Sequence, residues 1–287
     1  MSTIAVTAAT GHLGALVVGG LTGRGHQVVA IVRDPAKADR VAALAPADVE
    51  VRIADYEDRA ALDAALVGVD RLVFISGSEA GQRVPQHTNV VEAARQAGVQ
   101  QLVYTSAPHA DDTTLVLAPE HRVTEQLIRA SGVPFTVLRN NWYTENYVAQ
   151  VGPAAESGVL LGSAGEGRVA SATRQDYADA AVAVVTTDGH ENAVYELAGD
   201  VAWTMPDLAA AISTITGRPV GYRDVSQQEH VATLVAAGLD EGTAGFVAAL
   251  DHNIAEGTLA DASGDLARLI GRPTTPLVDG LRAALAG

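Results

Sequence analysis

Residues 4–14 read Ile4-Ala5-Val6-Thr7-Ala8-Ala9-Thr10-Gly11-His12-Leu13-Gly14. A short β-rich run opens into a turn, and a segment with helical spacing follows. Dinucleotide-binding turns have this shape: amide N–H groups and a helix N-terminus converge on a pyrophosphate just after the first strand. Gly11 lets backbone approach the phosphate, and Gly14 lets the helix lie close on the sheet. Ala8 stands where such a turn usually has its first glycine. Its methyl group is tolerable only at negative φ, so negative φ is the expectation there. Ala8, Thr10, Gly11, His12 and Leu13 are then candidate coenzyme contacts. The alternative is a plain strand–helix junction.

The rhythm continues outward from this turn. Apolar, β-branched runs recur at Ile4–Thr7, Val28–Val32, Val49–Ile53, Leu72–Ile75, Leu102–Thr105 and Phe135–Leu138. Helical spacing lies between them, at Leu13–Leu21, Arg59–Leu66, Val90–Ala97 and Val123–Ala130. Runs this apolar belong to strands covered on both faces, and the alternation gives an α/β, doubly wound (Rossmann-type) parallel sheet. Asp58 is placed to cap the helix near Arg59, and Gly98 and Gly132 to stop the two later helices. After about residue 150 glycines and prolines loosen the pattern. A helix at Tyr177–Val185 and a strand at Ala193–Leu197 return to the sheet. The expected organisation is a dinucleotide-binding domain over 1–150 with 171–200 returning to it. Residues 151–170 and 201–287 form a smaller, mostly helical substrate-binding lobe.

The 287 residues are 48% hydrophobic and 18% charged, with a formal net charge of −15. Such acidity repels nucleic acid phosphates and anionic membrane surfaces, so neither is an expected partner. The absence of cysteine excludes disulfides, thiolate nucleophiles and Cys-ligated zinc. No signal-peptide pattern and no run near the ~18 apolar residues of a membrane span point to the cytoplasm. Lys37 is the sole lysine among 19 basic residues.

Ligands of an open α/β sheet gather at the carboxyl ends of its strands. The second strand ends in Arg33, whose planar fork suits a ribose 2′-phosphate, and Lys37 adds charge. That favours NADPH, with NADH weaker. The bland reading is two solvated cations, with Asp34 pairing with Arg33 or capping a helix. Asp55 and Tyr56 end the third strand, Ser76, Gly77 and Ser78 follow the fourth, and Thr105 and Ser106 close the fifth. Asn140, Asn141, Trp142 and Tyr143 end the sixth.

Together, Thr7–Gly14, Ala30-Ile31-Val32-Arg33, Phe74–Glu79 and Tyr104-Thr105-Ser106 resemble the atypical short-chain dehydrogenases of the NmrA-like group. Leu138–Tyr147, Ser171–Ala178 and Tyr195–Asp200 are similar to the NAD(P)H:quinone oxidoreductase type 2 enzymes, with triphenylmethane dye reductases slightly less alike. The similarity covers nearly the whole chain. It implies NADPH contacts at Thr10–Leu13, Arg33, Ser76–Ser78 and the loop Asn140–Thr144, including Thr144. Arg174 is a further coenzyme candidate, with an ion pair to Asp176 or Asp179 as its alternative.

The usual Tyr-x-x-x-Lys dyad is absent, because Arg33 stands four residues before Lys37. Ordinary ketone reduction by that dyad is therefore not expected. A quinone delocalises the charge that a hydride brings and takes its proton from water or a nearby donor, so stacking on the nicotinamide is the main task. His121 resembles in placement the catalytic lysine of isoflavone-reductase-like enzymes and is the first proton-donor candidate, against an exposed helix histidine. Tyr143 and His109 are weaker ones. The scattered histidines form no metal-ligand pair, and no metal is expected. The reading is an NADPH-dependent quinone reductase. Its alternatives are a reductase of another flat acceptor such as a triarylmethane dye, and a non-catalytic NADP(H)-binding sensor. A homodimer is left open.

Overall fold

β1 (Thr3–Val6) is buried at every residue after Thr3. An apolar strand with no solvent-facing side needs helices on both faces, and the rest of the first unit supplies them. The computed structural model describes residues 2–38, 41, 49–79 and 81–286. It divides into two units, the first made of Met1–Asp111, Pro119–Asn140 and Arg174–Glu196.

In that unit the chain runs from β1 through α1 (His12–Leu21), β2 (Gln27–Val32), β3 (Val49–Ile53), α2 (Arg59–Ala65) and β4 (Arg71–Phe74). It continues through α3 (Arg83–Ala97), β5 (Gln101–Ser106), α4 (Ala118–Ser131) and β6 (Phe135–Asn140), and returns with α5 (Arg174–Thr186) and β7 (Ala193–Leu197). The sheet order is β3-β2-β1-β4-β5-β6-β7, and every pairing from β3 across to β6 is parallel. The expected doubly wound parallel sheet is what forms. Its order reverses between β1 and β4, which makes their carboxyl ends the topological switch point.

Both layers of helices pack closely. α1 lies on α5, where a Cβ on Gly20 would stand 2.9 Å from Val182 Cγ2. On the other face, Leu62, Leu66, Val90 and Val91 of the α2–α3 segment join Ala5, Val29, Ile31, Phe74 and Tyr104 of the sheet in one buried cluster. The expected caps are in place. Asp58 accepts from Ala61 N at 2.9 Å, and Gly98 and Gly132 are left-handed at φ 73° and 76°.

Two helices begin earlier than their apolar spacing suggests. α3 starts at Arg83 rather than Val90, and α4 at Ala118 rather than Val123. Their first turns are polar, so a periodicity of apolar residues cannot reveal them.

The second unit comprises Asp112–Ala118, Asn141–Thr173 and Leu197–Gly287. It is mostly helical, with helices at Val148–Ser157, Met205–Thr216, Gln227–Ala236, Glu241–Ala255, Asp265–Ile270 and Leu277–Ala286. Two short strand pairs complete it: Val159–Gly162 with Gly221–Asp224, and Arg168–Val169 with Trp203–Thr204. Among the described residues no helix is long and apolar enough to cross a membrane.

At the end of β1 the expected negative φ of Ala8 is overturned: Ala8 stands at φ 48°. The turn imposes this. Thr7 N donates to Val73 O at 3.0 Å and Ala9 N to Ile31 O at 3.1 Å, so the chain is tied to β4 on one side and β2 on the other. Between those ties it must turn left-handed so that Ala8 O can accept from Gly11 N at 2.9 Å. A Cβ in that region costs about 1–2 kcal/mol, offset in part by glycine's larger unfolded-state entropy of about 0.4–1 kcal/mol. Ala8→Gly is therefore expected to stabilise the protein by roughly 0.5 kcal/mol in urea unfolding. A lower midpoint in the variant contradicts the strained turn.

Candidate active site

The turn after β1 fits a dinucleotide pyrophosphate. A Cβ on Gly14 would lie 2.2 Å from Ala8 O and 3.0 Å from Ala9 Cα, so only glycine allows α1 to start this close to the turn. Gly11 is the N-cap of α1, and no side chain caps that end. The first amides of a helix have no internal acceptor, so those of His12 and Leu13 are available to an anion, with the helix dipole behind them. Gly11 and His12 are exposed, Ala8 and Thr10 are half-buried and Leu13 is buried.

Beneath the turn, the Tyr56 hydroxyl lies 2.5 Å from Thr7 Oγ1 and donates to Ile75 O at 2.7 Å. Thr7 Oγ1 also accepts from Ile75 N at 3.0 Å. Tyr56 thus joins the ends of β1 and β4 and holds the switch point together. Burial keeps its phenol protonated far above the usual range.

Arg33 directly follows β2 and is exposed. Asp34 does not pair with it; its carboxylate caps the turn Pro35–Lys37, accepting from Ala36 N at 3.0 Å. Arg33 instead reaches Glu79 Oε1, at 2.6 Å from Nη1, with Asp55 Oδ2 3.9 Å from Nε. Lys37 is exposed in the short 3-10 turn that follows.

The loop after β4 is gripped from one face of α3. Arg83 Nε donates to Gly77 O at 2.6 Å, and Gly77 N donates to His87 Nε2 at 3.0 Å. Since Nε2 accepts, the proton is on Nδ1, which donates to Thr124 Oγ1 at 2.9 Å. The His87 ring stands edge-on to Phe74, 4.8 Å between centroids. Burial, helped by the Arg83 charge, pushes the imidazole down to about 3, so it stays neutral. Ser76 N donates to Thr105 Oγ1 at 2.9 Å, linking the loop to the end of β5. Ser78 is exposed.

His121 lies on α4. It is not an exposed helix histidine but 5% exposed, and its Nδ1 shares a 2.7 Å hydrogen bond with the Tyr104 hydroxyl. Burial, helped by the Arg83 charge, pushes it down to about 3. It is a neutral imidazole at working pH. Two residues beyond Tyr104 on β5, Ser106 Oγ donates to Glu125 Oε1 at 2.7 Å. Glu125 takes a two-pronged grip from Arg139, at 3.0 and 2.8 Å. Arg139 also reaches Asp111 at 2.9 Å and Glu196 at 2.8 Å. Glu196 accepts from the backbone N of His109, which is held at φ 47°. Asn140 ends β6 in a buried position, and Arg174 begins α5 half-buried.

In the second unit, Asn141 accepts from Trp142 N at 2.7 Å and donates to Leu259 O at 3.1 Å. Tyr143 bridges Ala172 along the backbone. Thr144 donates its N–H to Ala172 O at 2.9 Å and bonds Ser171 Oγ at 2.9 Å. Trp142 and Tyr143 are half-buried, and Thr144 is buried.

Residues 1–256 match the sequence pattern of the NmrA-like family. The chain belongs to that family. It is 50% identical over 278 residues to quinone oxidoreductase 2 of Escherichia coli strain K12, covering 96% of each. The crystal structure of the Escherichia coli NADPH-dependent quinone oxidoreductase complexed with NADPH is similar at TM-score 0.93 and 49% identity, covering 98% of this chain and 99% of that one. The triphenylmethane reductase of Citrobacter sp. complexed with NADP(H) gives TM-score 0.92 at 40% identity, covering 98% and 100%.

Within this NmrA-like fold, several residues around the switch point carry no signal in the sequence. Arg83, Gln86 and His87 sit on the polar first turns of α3, where no motif marks them. Glu125, Arg139 and Glu196 meet only through the sheet order, although the Arg139 and Glu196 stretches each lie inside a resemblance motif.

The two neutral histidines make stability depend on pH. Both have native values below the ordinary 6.5, so the unfolded chain binds protons that the native state does not. Their contribution is full above about 6.5 and is lost as the pH falls below it. The limiting slope is about 1.4 kcal/mol per pH unit for each imidazole. Urea unfolding between roughly pH 6.5 and 5, where carboxylates stay charged, is expected to show stability falling on acidification. The slope is expected to be shallower in His121→Phe. An equal slope in that variant contradicts a neutral buried His121.

Proposed function

We propose that this chain is an NADPH-dependent reductase that transfers hydride to quinones. The observation that carries the reading is the turn whose Gly14 admits no Cβ, set at the uncapped start of α1 with Arg33 at the next strand end. It occurs in a chain half identical to a quinone oxidoreductase. The amides of His12 and Leu13 hold the pyrophosphate. Arg33, with Lys37 nearby, takes the 2′-phosphate through charge-assisted hydrogen bonds. The Ser76–Ser78 loop, Thr105 and Ser106 line the same strand edge.

Bound NADPH supplies the hydride. The quinone that receives it carries a delocalised negative charge and needs one proton to become a hydroquinone. With Lys37 the only lysine, no Tyr-x-x-x-Lys dyad can deliver that proton. His121 is neutral and engaged with Tyr104. We therefore assign the proton to water, and the protein's part to binding and orientation. A triarylmethane dye asks the same of the protein, and the likeness to the Citrobacter reductase makes it the second acceptor class. The reading places the enzyme in the cytoplasm.

Following loss of the reduced coenzyme's absorbance with benzoquinones and naphthoquinones tests this. Turnover with NADPH well above NADH is expected, with no kinetic pKa near 6.5. Arg33→Ala is expected to lower NADPH kcat/KM by about 10- to 100-fold, as for loss of a charged hydrogen bond, and to leave NADH nearly unchanged. Coenzyme binding without oxidation across the acceptor panel contradicts a reductase. An acid limb near pH 6.5 that disappears in His121→Ala returns the proton to histidine.

A further inference from the structure

Arg33 is already occupied. Its guanidinium is held by Glu79, from the loop after β4. In the sheet order β2 and β4 flank β1, so a bridge from the end of β2 to the loop after β4 passes over the carboxyl end of β1, where the coenzyme turn begins. Asp55, at the end of β3, stands on the guanidinium's other side. The cation assigned to a 2′-phosphate thus faces two carboxylates.

Glu79 is presented there by a built support. One carboxylate oxygen meets Arg33; the other accepts from Gln86 Nε2 at 2.9 Å. Both ends of the Gly77 residue behind it are clamped, the carbonyl by Arg83 and the N–H by His87. Residues 83, 86 and 87 share one face of α3, at spacings that bring side chains together. One helix face therefore fixes the loop and aims its carboxylate. The bridge itself is exposed, with side-chain accessibilities of 65% for Arg33 and 44% for Glu79. Exposed pairs are weak, so a phosphate dianion can displace this one.

We infer that Glu79 is a specificity determinant that competes with the coenzyme 2′-phosphate for Arg33. NADPH must displace the carboxylate to reach the guanidinium, and the displaced carboxylate stays with Gln86. NADH lacks the phosphate and leaves the bridge closed. Glu79 therefore narrows the preference for NADPH that Arg33 alone would give. This rests on Arg33 being the 2′-phosphate ligand.

Isothermal titration of NADP+ and NAD+ into wild type, Glu79→Gln, Arg33→Ala and the double variant separates the two claims. Glu79→Gln is expected to bind NADP+ about two- to fivefold more tightly, the scale of an exposed ion pair, with NAD+ unchanged. The gain is expected to vanish in the Arg33→Ala background. NADP+ affinity in Glu79→Gln that is unchanged, or that shifts together with NAD+, overturns the competition while Arg33 keeps its role. If Arg33→Ala leaves the ratio of the two affinities intact, the assignment of Arg33 falls, and the proposal falls with it.

Discussion

The carbonyl oxygen of Ala8 accepts from Gly11 N at 2.9 Å and leaves no room for a Cβ on Gly14, which would stand 2.2 Å away. Everything at the switch point depends on that close approach. It fixes where α1 starts, and therefore where the first free amides of the helix point. Ties from Thr7 to β4 and from Ala9 to β2 prevent the turn from relaxing outward. The strain at Ala8 follows from the same constraint: a backbone carbonyl can be aimed at the helix start only if the residue carrying it turns left-handed.

A second layer holds the strand ends in register around this turn. Tyr56 joins the ends of β1 and β4, Thr105 joins β5 to the loop after β4, and Glu125 with Arg139 and Glu196 binds the ends of β5 and β6 to the strand beyond. Buried charges of this kind are costly to leave unpaired, and each here has a partner with good geometry. The two neutral histidines belong to the same layer. Their burial trades stability at acid pH for fixed polar contacts beside the sheet edge.

Much of this was legible in the sequence. Apolar runs located the strands because parallel strands are buried on both faces, and Asp58 and Gly98 marked helix ends by local chemistry alone. The glycine turn and Arg33 stood out because their spacing from the strands is short and fixed. The polar first turns of α3 and α4 were hidden from apolar periodicity, and with them Arg83, Gln86 and His87. The partners of Arg33 and Arg139 were hidden because Glu79, Glu125 and Glu196 approach only once the sheet order is set. The sign of φ at Ala8 is not legible locally: a methyl group argues for negative φ, but the turn's hydrogen bonds outweigh a penalty of about 1–2 kcal/mol.

The most direct measurement is a coenzyme titration of Gly14→Ala, with circular dichroism establishing that the variant is folded. The added methyl must push Ala8 O away and open the turn. The pyrophosphate is common to both coenzymes, so affinity for NADPH and NADH should fall by the same factor, at least tenfold. Wild-type affinity for either coenzyme in a folded Gly14→Ala protein would contradict a binding site built on this turn.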